Sequence, residues 1–299
     1  MNTSTSAVTP ERILLRLDWN VIRRLDGLLQ GDYRTLFYGF GVDFADLREY
    51  QPGDDIRYID WNVTARMDTP YVRQYHEDRE ITAWFLLDLT PSVDFGTVQN
   101  QKRTMLVEFV TVLARLLTRH GNRVGAMMLG NGIQHTVPAR GGRLQVLRLL
   151  NDLLKQPRLK RAPFTNLKSF FDGALNSIKR RSLVFVISDF ISAPGWERSL
   201  SLLAQRHEVI AVRLFDPRET DLPDVGMVVM EDAETGEQMF VDTHDKKFRK
   251  RFFDGAQKRE TDLSAAFRRA GVDMMPLSTE DDLVRAIVRF AKQRQQIRK

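Results

Sequence analysis

The sequence contains no cysteine among its 299 residues and only five histidines. Disulfides, thiol catalysis and thiolate zinc sites are therefore excluded, and the histidines lack the HExxH spacing of a metalloprotease. The sequence also lacks a GxxxxGK[ST] phosphate loop and a GxSxG motif. Glycines 39 and 41, and glycines 130 and 132, have no third glycine to complete a dinucleotide fingerprint. The best-known nucleotide-dependent and nucleophilic enzyme classes are thus disfavoured.

Long hydrophobic runs are also missing. No stretch approaches the ~20 consecutive apolar residues that cross a membrane, and residues 1–10 form a short polar tail rather than a signal peptide. We therefore expect a cytoplasmic protein with no membrane span. The net charge of +6 raises the alternative of nucleic-acid binding through the basic tail after Arg289. Elsewhere basic and acidic residues are mixed, which favours a solvated surface, and no nucleic-acid partner is expected.

The N-terminal part has its own pattern. Thr9 and Pro10 have the positions of an N-cap and a first helical residue, so a helix is predicted to begin there. Its apolar stripe continues up to Gly31, which favours a helix that packs on the main body over a membrane-surface or partner helix. Residues 32–80 are neither helical nor alternating in pattern. We therefore divide the chain into an N-terminal helix and Arg/Asp-rich module (1–80) and an α/β domain (81–299).

Strand and helix patterns alternate from residue 81 onwards. Two continuous apolar runs, 81–89 and 183–188, are typical of buried strands. Further strands are predicted at 123–129, 133–137, 208–214 and 272–277, with a hairpin at 227–241 and a last helix at 280–293 capped by Thr279. The alternation predicts an α/β fold with a mainly parallel, doubly wound sheet. In such sheets, ligands bind outside the carboxyl ends of the strands.

Oxygen-bearing side chains lie in three loops that the pattern places at this edge of the sheet. They are Asp88, Thr90 and Ser92 in the first loop, Thr165 in the second and Asp189 in the third. Carboxylates and hydroxyls are ligands for Mg²⁺, or for another divalent cation such as Mn²⁺ or Ca²⁺, and they leave coordination positions open for a partner's carboxylate. A structural alternative stays open, in which Asp88 only caps the segment that follows it.

Two resemblances extend this interpretation. The segment 88–92, DLTPS, resembles the DxSxS motif of the metal-ion-dependent adhesion site of von Willebrand factor A domains. The resemblance implies a Rossmann-like, von Willebrand A-type fold, with Thr165 as the second-loop threonine and Asp189 as the third-loop aspartate. Thr90 departs from the usual serine; it keeps the hydroxyl but adds a methyl group that restricts χ1.

The second resemblance is longer. Residues 41–61, continuing through 65–66 to 71–73, resemble the signature of domain-of-unknown-function family fifty-eight, with Asp43 where glutamate is common. This resemblance implies a bacterial protein with a von Willebrand A-like domain, often encoded beside a MoxR-type AAA+ ATPase.

Charged side chains are dense in this signature, and two interpretations of them stay open. In one, they pair within a structural module whose Trp61 and Tyr58 pack on the sheet domain. In the other, they form a recognition surface whose arginines bind a partner's acids. The candidate partner-binding residues are Arg48, Asp54, Asp55, Arg57, Asp60 and Arg66.

These observations lead to one preferred hypothesis. We expect a non-catalytic adaptor whose metal site binds an acidic residue of a partner protein. The family resemblance implies a MoxR-type AAA+ ATPase and its client as partners, in protein remodelling or maturation. The alternative is a Mg²⁺-dependent phosphoester hydrolase in which Asp88 and Asp189 hold the metal against a phosphate.

Overall fold

The structure is a computed structural model that describes residues 9–25, 46–56, 59–67, 69–74, 81–96, 100–159 and 165–297. The strands in chain order are β1 (Asp46–Glu49), β2 (Tyr71–Gln74), β3 (Thr82–Asp88), β4 (Arg123–Gly130), β5 (Gly132–Arg140), β6 (Leu183–Ser188), β7 (Glu208–Phe215), β8 (Met227–Glu231), β9 (Gln238–Asp242) and β10 (Asp273–Ser278). The helices are α1 (Pro10–Leu17), α2 (Trp61–Met67), α3 (Lys102–Arg119), α4 (Arg143–Leu154), α5 (Leu167–Ser177), α6 (Glu197–Arg206), α7 (Lys246–Ala270) and α8 (Leu283–Ile297).

A six-stranded sheet forms the centre of the fold, in the order β10-β7-β6-β3-β4-β5. Every neighbouring pair is parallel except β4 and β5, which are antiparallel. All six residues of β6 are buried, as the continuous apolar run predicts for a strand covered on both faces. Phe85 of β3 pairs with Phe185 of β6, and their rings stack 5.5 Å apart. The predicted mainly parallel, doubly wound α/β fold is confirmed.

Helices cover both faces of this sheet. One face is packed by apolar residues of α1, α3, α4 and α8, and the other by those of α5, α6 and α7. Among the described residues, no helix is both long enough and apolar enough to cross a membrane.

The strand order of the sheet changes direction beside β3. From β3 the chain passes through α3 to β4 on one side, and after β5, α4 and α5 it reaches β6 on the other side of β3. The strand order therefore reverses between β3 and β6, and the loops at their carboxyl ends diverge. Asp88 is the last residue of β3 and Ser188 the last residue of β6.

The N-terminal helix begins as predicted. The hydroxyl of Thr9 accepts a hydrogen bond from the backbone N–H of Arg12 at 3.4 Å, and Pro10 occupies the first turn. Ile13, Leu14 and Leu17 are buried in the same cluster as the helices of the main sheet. The helix therefore packs on the main body. The predicted stripe beyond Leu25 lies outside the described residues.

The last helix corrects the prediction at its start. It begins at Leu283 rather than at residue 280. The hydroxyl of Thr279 donates to Oδ2 of Asp216 at 2.8 Å, so it does not cap the helix. Instead, Oδ1 of Asp282 accepts from the backbone N–H of Arg285 at 2.9 Å. The Thr279 hydroxyl, which the local pattern predicts as the helix cap, is thus bound to Asp216, 63 residues away in the sequence.

Candidate functional site

The first loop of the site is organised by Asp88, whose side chain is fully buried. Its Oδ1 atom accepts hydrogen bonds from the backbone N–H of Thr90 at 3.1 Å and from the Thr90 hydroxyl at 2.7 Å. The Thr90 hydroxyl lies 3.3 Å from the hydroxyl of Ser92. Asp88 therefore organises the turn at Thr90, but it does not cap the 3₁₀ helix Pro91–Asp94 that follows, so the capping alternative is wrong. The same arrangement also gathers the three predicted oxygen ligands of this loop.

Ser188 joins this group from the neighbouring strand. Its hydroxyl donates to Oδ2 of Asp88 at 2.6 Å and accepts from the backbone N–H of Phe190 at 2.8 Å. The sequence places a polar residue at this strand end, but only the parallel pairing of β3 with β6 brings its hydroxyl to Asp88. Both carboxylate oxygens of Asp88 are thereby held in place.

The third loop carries Asp189, which is bound to a lysine. The Nζ atom of Lys102 lies 2.8 Å from Oδ2 of Asp189 and 2.7 Å from Oε1 of Glu219. Oδ1 of Asp189 accepts from the backbone N–H of Ile191 at 3.1 Å. Lys102 begins α3, 87 residues before Asp189, and no sequence spacing pointed to either Lys102 or Glu219. The lysine supplies a buried positive charge inside the candidate site.

The two buried aspartates consequently differ in acidity. Burial, together with the negative charge of Asp189, raises the pKa of Asp88 to about 6, against the opposing hydrogen bonds from Ser188 and Thr90. Burial also acts to raise the pKa of Asp189, but the charge and hydrogen bond of Lys102 outweigh it and hold that pKa below its ordinary value. In the described part of the chain, no lysine or arginine forms an ion pair with Asp88. Asp88 is thus a buried acid with no basic partner in that part of the chain.

Thr165 lies in the loop before α5 and is 2% exposed. Its carbonyl oxygen accepts from the Ser192 hydroxyl at 2.8 Å and from the backbone N–H of Ala193 at 3.0 Å, which ties it to the loop after β6. Its own hydroxyl donates to the carboxylate of Glu234, in the turn between β8 and β9. The structure therefore attaches Thr165 to the third loop, and its hydroxyl is engaged by an acid that the sequence did not indicate.

The first loop brings together oxygen donors of the kind that hard divalent cations prefer. The hydroxyl oxygens of Thr90 and Ser92 are 3.3 Å apart, close to the separation of about 3 Å between adjacent ligands in an octahedron with 2.1 Å bonds. Asp88 adds a carboxylate that pairs with no lysine or arginine of the described ranges. Across the described ranges, no cluster of three or more histidine or acidic side chains is placed to hold a metal. The predicted metal ligands are a mixture of carboxylates and hydroxyls, and metal binding by them stays a prediction.

The loop after β6 has an unusual backbone conformation next to Asp189. Phe190 has a positive φ of 55°, which is uncommon for a residue with a side chain. Its ring lies 4.9 Å from that of Phe267 in α7 and 5.8 Å from that of Trp196. Burial of the aromatic ring offsets the cost of this conformation.

In the N-terminal module, several of the candidate partner-binding residues bind one another. Arg48 donates two hydrogen bonds to Asp54, at 2.8 and 2.7 Å. Oδ2 of Asp54 also accepts from the backbone N–H of Gln51 at 2.9 Å. Asp60 is buried, and its Oδ1 accepts from the backbone N–H of Val63 at 3.3 Å in the first turn of α2. These three charged residues stabilise the module itself.

Other residues of the module face solvent. Arg66 in the last turn of α2 is exposed, and Asp55 is half-buried. The expected packing of Trp61 on the sheet is wrong, because its side chain is 69% exposed. Helix α2 is attached to β2 through the Thr64 hydroxyl, which accepts from the backbone N–H of Tyr71 at 3.0 Å, and this contact leaves the indole uncovered. Arg57 and Tyr58 lie outside the described residues.

Residues 46–262 match the family described as Protein of unknown function DUF58. The chain is a member of this family. The match confirms the resemblance of the signature to family fifty-eight. Uncharacterised proteins of Mycobacterium tuberculosis H37Rv and Mycobacterium bovis are each 37% identical to this DUF58 protein over 281 residues, which is 94% of this chain and 88% of theirs.

Two solved structures are also similar to this DUF58 protein. BatB of Bacteroides thetaiotaomicron is 12% identical and has a TM-score of 0.48, over 72% of this chain and 99% of its own. The VWA domain of SpRpn10 is 11% identical and has a TM-score of 0.40, over 70% of this chain and 94% of its own. The family assignment itself rests on the sequence match.

Proposed function

We propose that this DUF58 protein is a non-catalytic adaptor that holds a divalent cation at the carboxyl ends of β3 and β6 and binds an acidic side chain of a partner protein there. The observation that carries the proposal is Asp88, a fully buried carboxylate with a raised pKa and no ion-pair partner among the described residues. A buried charge of this kind is costly unless it is paired or coordinates a metal.

The residues of the site have distinct roles in this proposal. Asp88 supplies the charge, and the hydroxyls of Thr90 and Ser92 supply neutral oxygens beside it. Ser188 fixes the orientation of the Asp88 carboxylate. A bound Mg²⁺, Mn²⁺ or Ca²⁺ would supply an open coordination position for a carboxylate from outside.

Lys102 supports a binding role over a catalytic one. Burial acts to lower the pKa of its ammonium group, but Asp189 and Glu219 outweigh burial and raise that pKa. The amine therefore stays protonated, since its two acidic partners hold the charged form, and it does not provide a nucleophile or a base. Lys102 offsets one of the two negative charges of Asp189 and Glu219, whereas Asp88 pairs with no lysine or arginine among the described residues.

We further propose, from the family resemblance, that the partner is a MoxR-type AAA+ ATPase or the client it remodels. An adaptor that presents a metal to a carboxylate would bind such a partner through an exposed Asp or Glu. Arg66, exposed in the N-terminal module, offers a second contact to an acidic surface.

The test is a binding measurement with purified proteins. The affinity for the nucleotide-free MoxR-type ATPase of the same cells is measured for three proteins: the intact chain, Asp88→Ala and Asp254→Ala. Each titration is done once with Mg²⁺ and once with a chelator. Asp254 is an exposed aspartate of α7 and serves as the matched control. We expect Asp88→Ala and the chelator each to weaken binding by about tenfold or more, which corresponds to about 1.4 kcal/mol, and Asp254→Ala to have no effect. Unchanged binding by Asp88→Ala contradicts the proposal, and turnover of phosphoesters that is lost in this variant would favour the hydrolase.

A further inference from the structure

The turn between β8 and β9 delivers an acidic side chain to the candidate site. Asp232 holds this turn, because its Oδ1 accepts from the backbone N–H groups of Glu234 at 3.0 Å and Thr235 at 2.7 Å. Gly236 has a positive φ of 73° and donates its N–H to the carbonyl of Asp232 at 2.8 Å. The turn is therefore well defined, and it fixes the backbone from which Glu234 projects.

Glu234 reaches across 69 residues of sequence to Thr165 and is 8% exposed. Its two carboxylate oxygens accept from the backbone N–H of Thr165 at 3.2 and 3.1 Å, and the carboxylate also accepts from the Thr165 hydroxyl. In the described part of the chain no lysine or arginine forms an ion pair with Glu234. Among the described residues its donors are all neutral groups, and a buried carboxylate held by neutral donors is costly because they compensate its charge only in part.

We propose that Glu234 is an internal acidic ligand of the site: it occupies the position that the carboxylate of a partner takes, so that partner binding requires the tip of the β8–β9 hairpin to withdraw. This inference rests on the proposed function, since it takes Thr165 to belong to the partner-binding site. It also specifies the partner's chemistry. The group that replaces Glu234 is a carboxylate on a short turn, with a neighbouring backbone that can follow the path of residues 232–236.

The hairpin is suited to withdrawal. Strands β8 and β9 form a two-stranded sheet that is separate from the central one, and an isolated pair of strands is only marginally stable. Val229 and Phe240 pair across the hairpin and are 52% and 73% exposed. Few apolar contacts therefore hold this face of the hairpin to the body.

Glu234 competes strongly with an external carboxylate because it belongs to the same chain as the site. A ligand carried on the same chain has an effective concentration of about millimolar or higher. An external carboxylate binds only the fraction of molecules whose site is open, so its apparent affinity is reduced by that fraction. Removal of the Glu234 carboxylate should therefore increase the affinity for an external acidic peptide.

The experiment uses a fluorescein-labelled peptide with the sequence of residues 232–236, Asp-Ala-Glu-Thr-Gly, and measures its anisotropy with the full chain. The proteins are the intact chain, Glu234→Ala, the double variant Asp88→Ala/Glu234→Ala, and Glu237→Ala. Glu237 is an exposed glutamate near the same turn and provides the matched control. Each is measured with Mg²⁺ and with a chelator. A peptide with Gln in place of the central Glu controls for the carboxylate.

We expect Glu234→Ala to bind the peptide at least about tenfold more tightly than the intact chain and Glu237→Ala, in Mg²⁺ only. Equal affinity for the intact chain and Glu234→Ala overturns the inference. Tight binding by Glu234→Ala that persists with the chelator and in the double variant supports the internal ligand but contradicts the metal in the proposed function.

Glu234→Gln guards against a folding defect in the alanine variant. Its amide oxygen can still accept from the Thr165 N–H, while the negative charge is lost. We expect its affinity for the peptide to lie between those of the intact chain and Glu234→Ala. An affinity as low as that of the intact chain would show that the charge of Glu234 does not compete for the site, and would overturn the inference.

Discussion

The ammonium group of Lys102 lies 2.8 Å from Oδ2 of Asp189, and both side chains are fully buried. This ion pair joins the first turn of α3 to the loop after β6, and Glu219 completes it from the loop after β7. The ammonium group of Lys102 therefore holds the first turn of α3 and two loops together at one edge of the sheet. The pair also separates the two buried aspartates in acidity, because it lowers the pKa of Asp189 while that of Asp88 is raised.

Replacement of Lys102 by Met should destabilise the fold strongly. Loss of the ammonium group leaves the Asp189 charge buried and unpaired, which costs about 3–5 kcal/mol in comparable cases. Urea unfolding of the intact chain and of Lys102→Met measures this difference in the free energy of unfolding. Adding Asp189→Asn to Lys102→Met should recover part of the loss, because the unpaired charge is then removed.

Lys168→Met provides the control for this prediction. Lys168 pairs with Asp172 one turn along α5, and the two side chains are 59% and 42% exposed. Exposed pairs of this kind contribute only about 0.3–0.5 kcal/mol. Equal destabilisation by Lys102→Met and Lys168→Met would mean that the buried pair has no special structural role.

The raised pKa of Asp88 should appear in the pH dependence of stability without divalent cations. Because its pKa is raised from 3.8 to about 6 in the folded chain, protonated Asp88 favours the fold at low pH, and this contribution is lost as the pH rises through about 6. The loss is on the order of 3 kcal/mol. Urea unfolding in a chelator, at several pH values between about 4 and 7, measures it.

Asp88→Asn isolates this contribution from those of the other acids. The difference in the free energy of unfolding between Asp88→Asn and the intact chain should increase in favour of the variant as the pH rises. Adding Mg²⁺ should stabilise the intact chain near neutral pH by mass action and leave Asp88→Asn unchanged. Parallel pH profiles for the two proteins would contradict the assignment.

The hydroxyl of Thr90 should matter more than its methyl group. Thr90→Ser keeps the hydrogen bond to Asp88 and is expected to retain the affinity for Mg²⁺. Thr90→Val has nearly the same shape without the hydroxyl, and we expect it to lower the affinity by about 10–100-fold. Isothermal titration with Mg²⁺ or Mn²⁺ compares them. A similar affinity in Thr90→Val would remove Thr90 from the metal site.

Arg66 and Arg48 should behave differently in partner binding. Arg66 is exposed, so Arg66→Glu should leave the melting temperature nearly unchanged, as surface substitutions usually do within about 0.5 kcal/mol, while it weakens binding to an acidic partner surface. Arg48→Ala should lower the melting temperature because Asp54 loses both of its bonds to the guanidinium group. Scanning calorimetry and the ATPase titration measure the two effects. Weaker partner binding only in Arg48→Ala would instead assign the recognition role to the paired residues.

Much of the fold could be predicted because it is encoded locally. The continuous apolar runs of β3 and β6 predict strands that are buried on both faces. Asp88 and Asp189 could be chosen as candidates because they are acidic residues at the carboxyl ends of these runs. The hairpin over residues 227–241 was predicted from its pattern, and the structure confirms β8 and β9 there. The local sequence pattern is sufficient to predict a residue's position where that position depends on a single strand or helix.

The rest of the site depends on tertiary contacts that no local pattern contains. Lys102 is 87 residues from its partner Asp189, and Glu234 is 69 residues from its partner Thr165. The sequence around each of them is typical of a charged residue on the surface. Trp61 shows the opposite case: an aromatic residue within a strong signature was expected to be packed, and it is exposed. In each case, the burial of a side chain depends on elements distant in sequence.

The aromatic ring of Phe190 packs the loop after β6 against helix α7. Phe190 follows Asp189 directly, and its ring lies against Phe267 near the end of the 25-residue helix α7. The loop that carries Asp189 is therefore positioned by its packing against the C-terminal part of α7, a helix that supplies none of the predicted metal ligands.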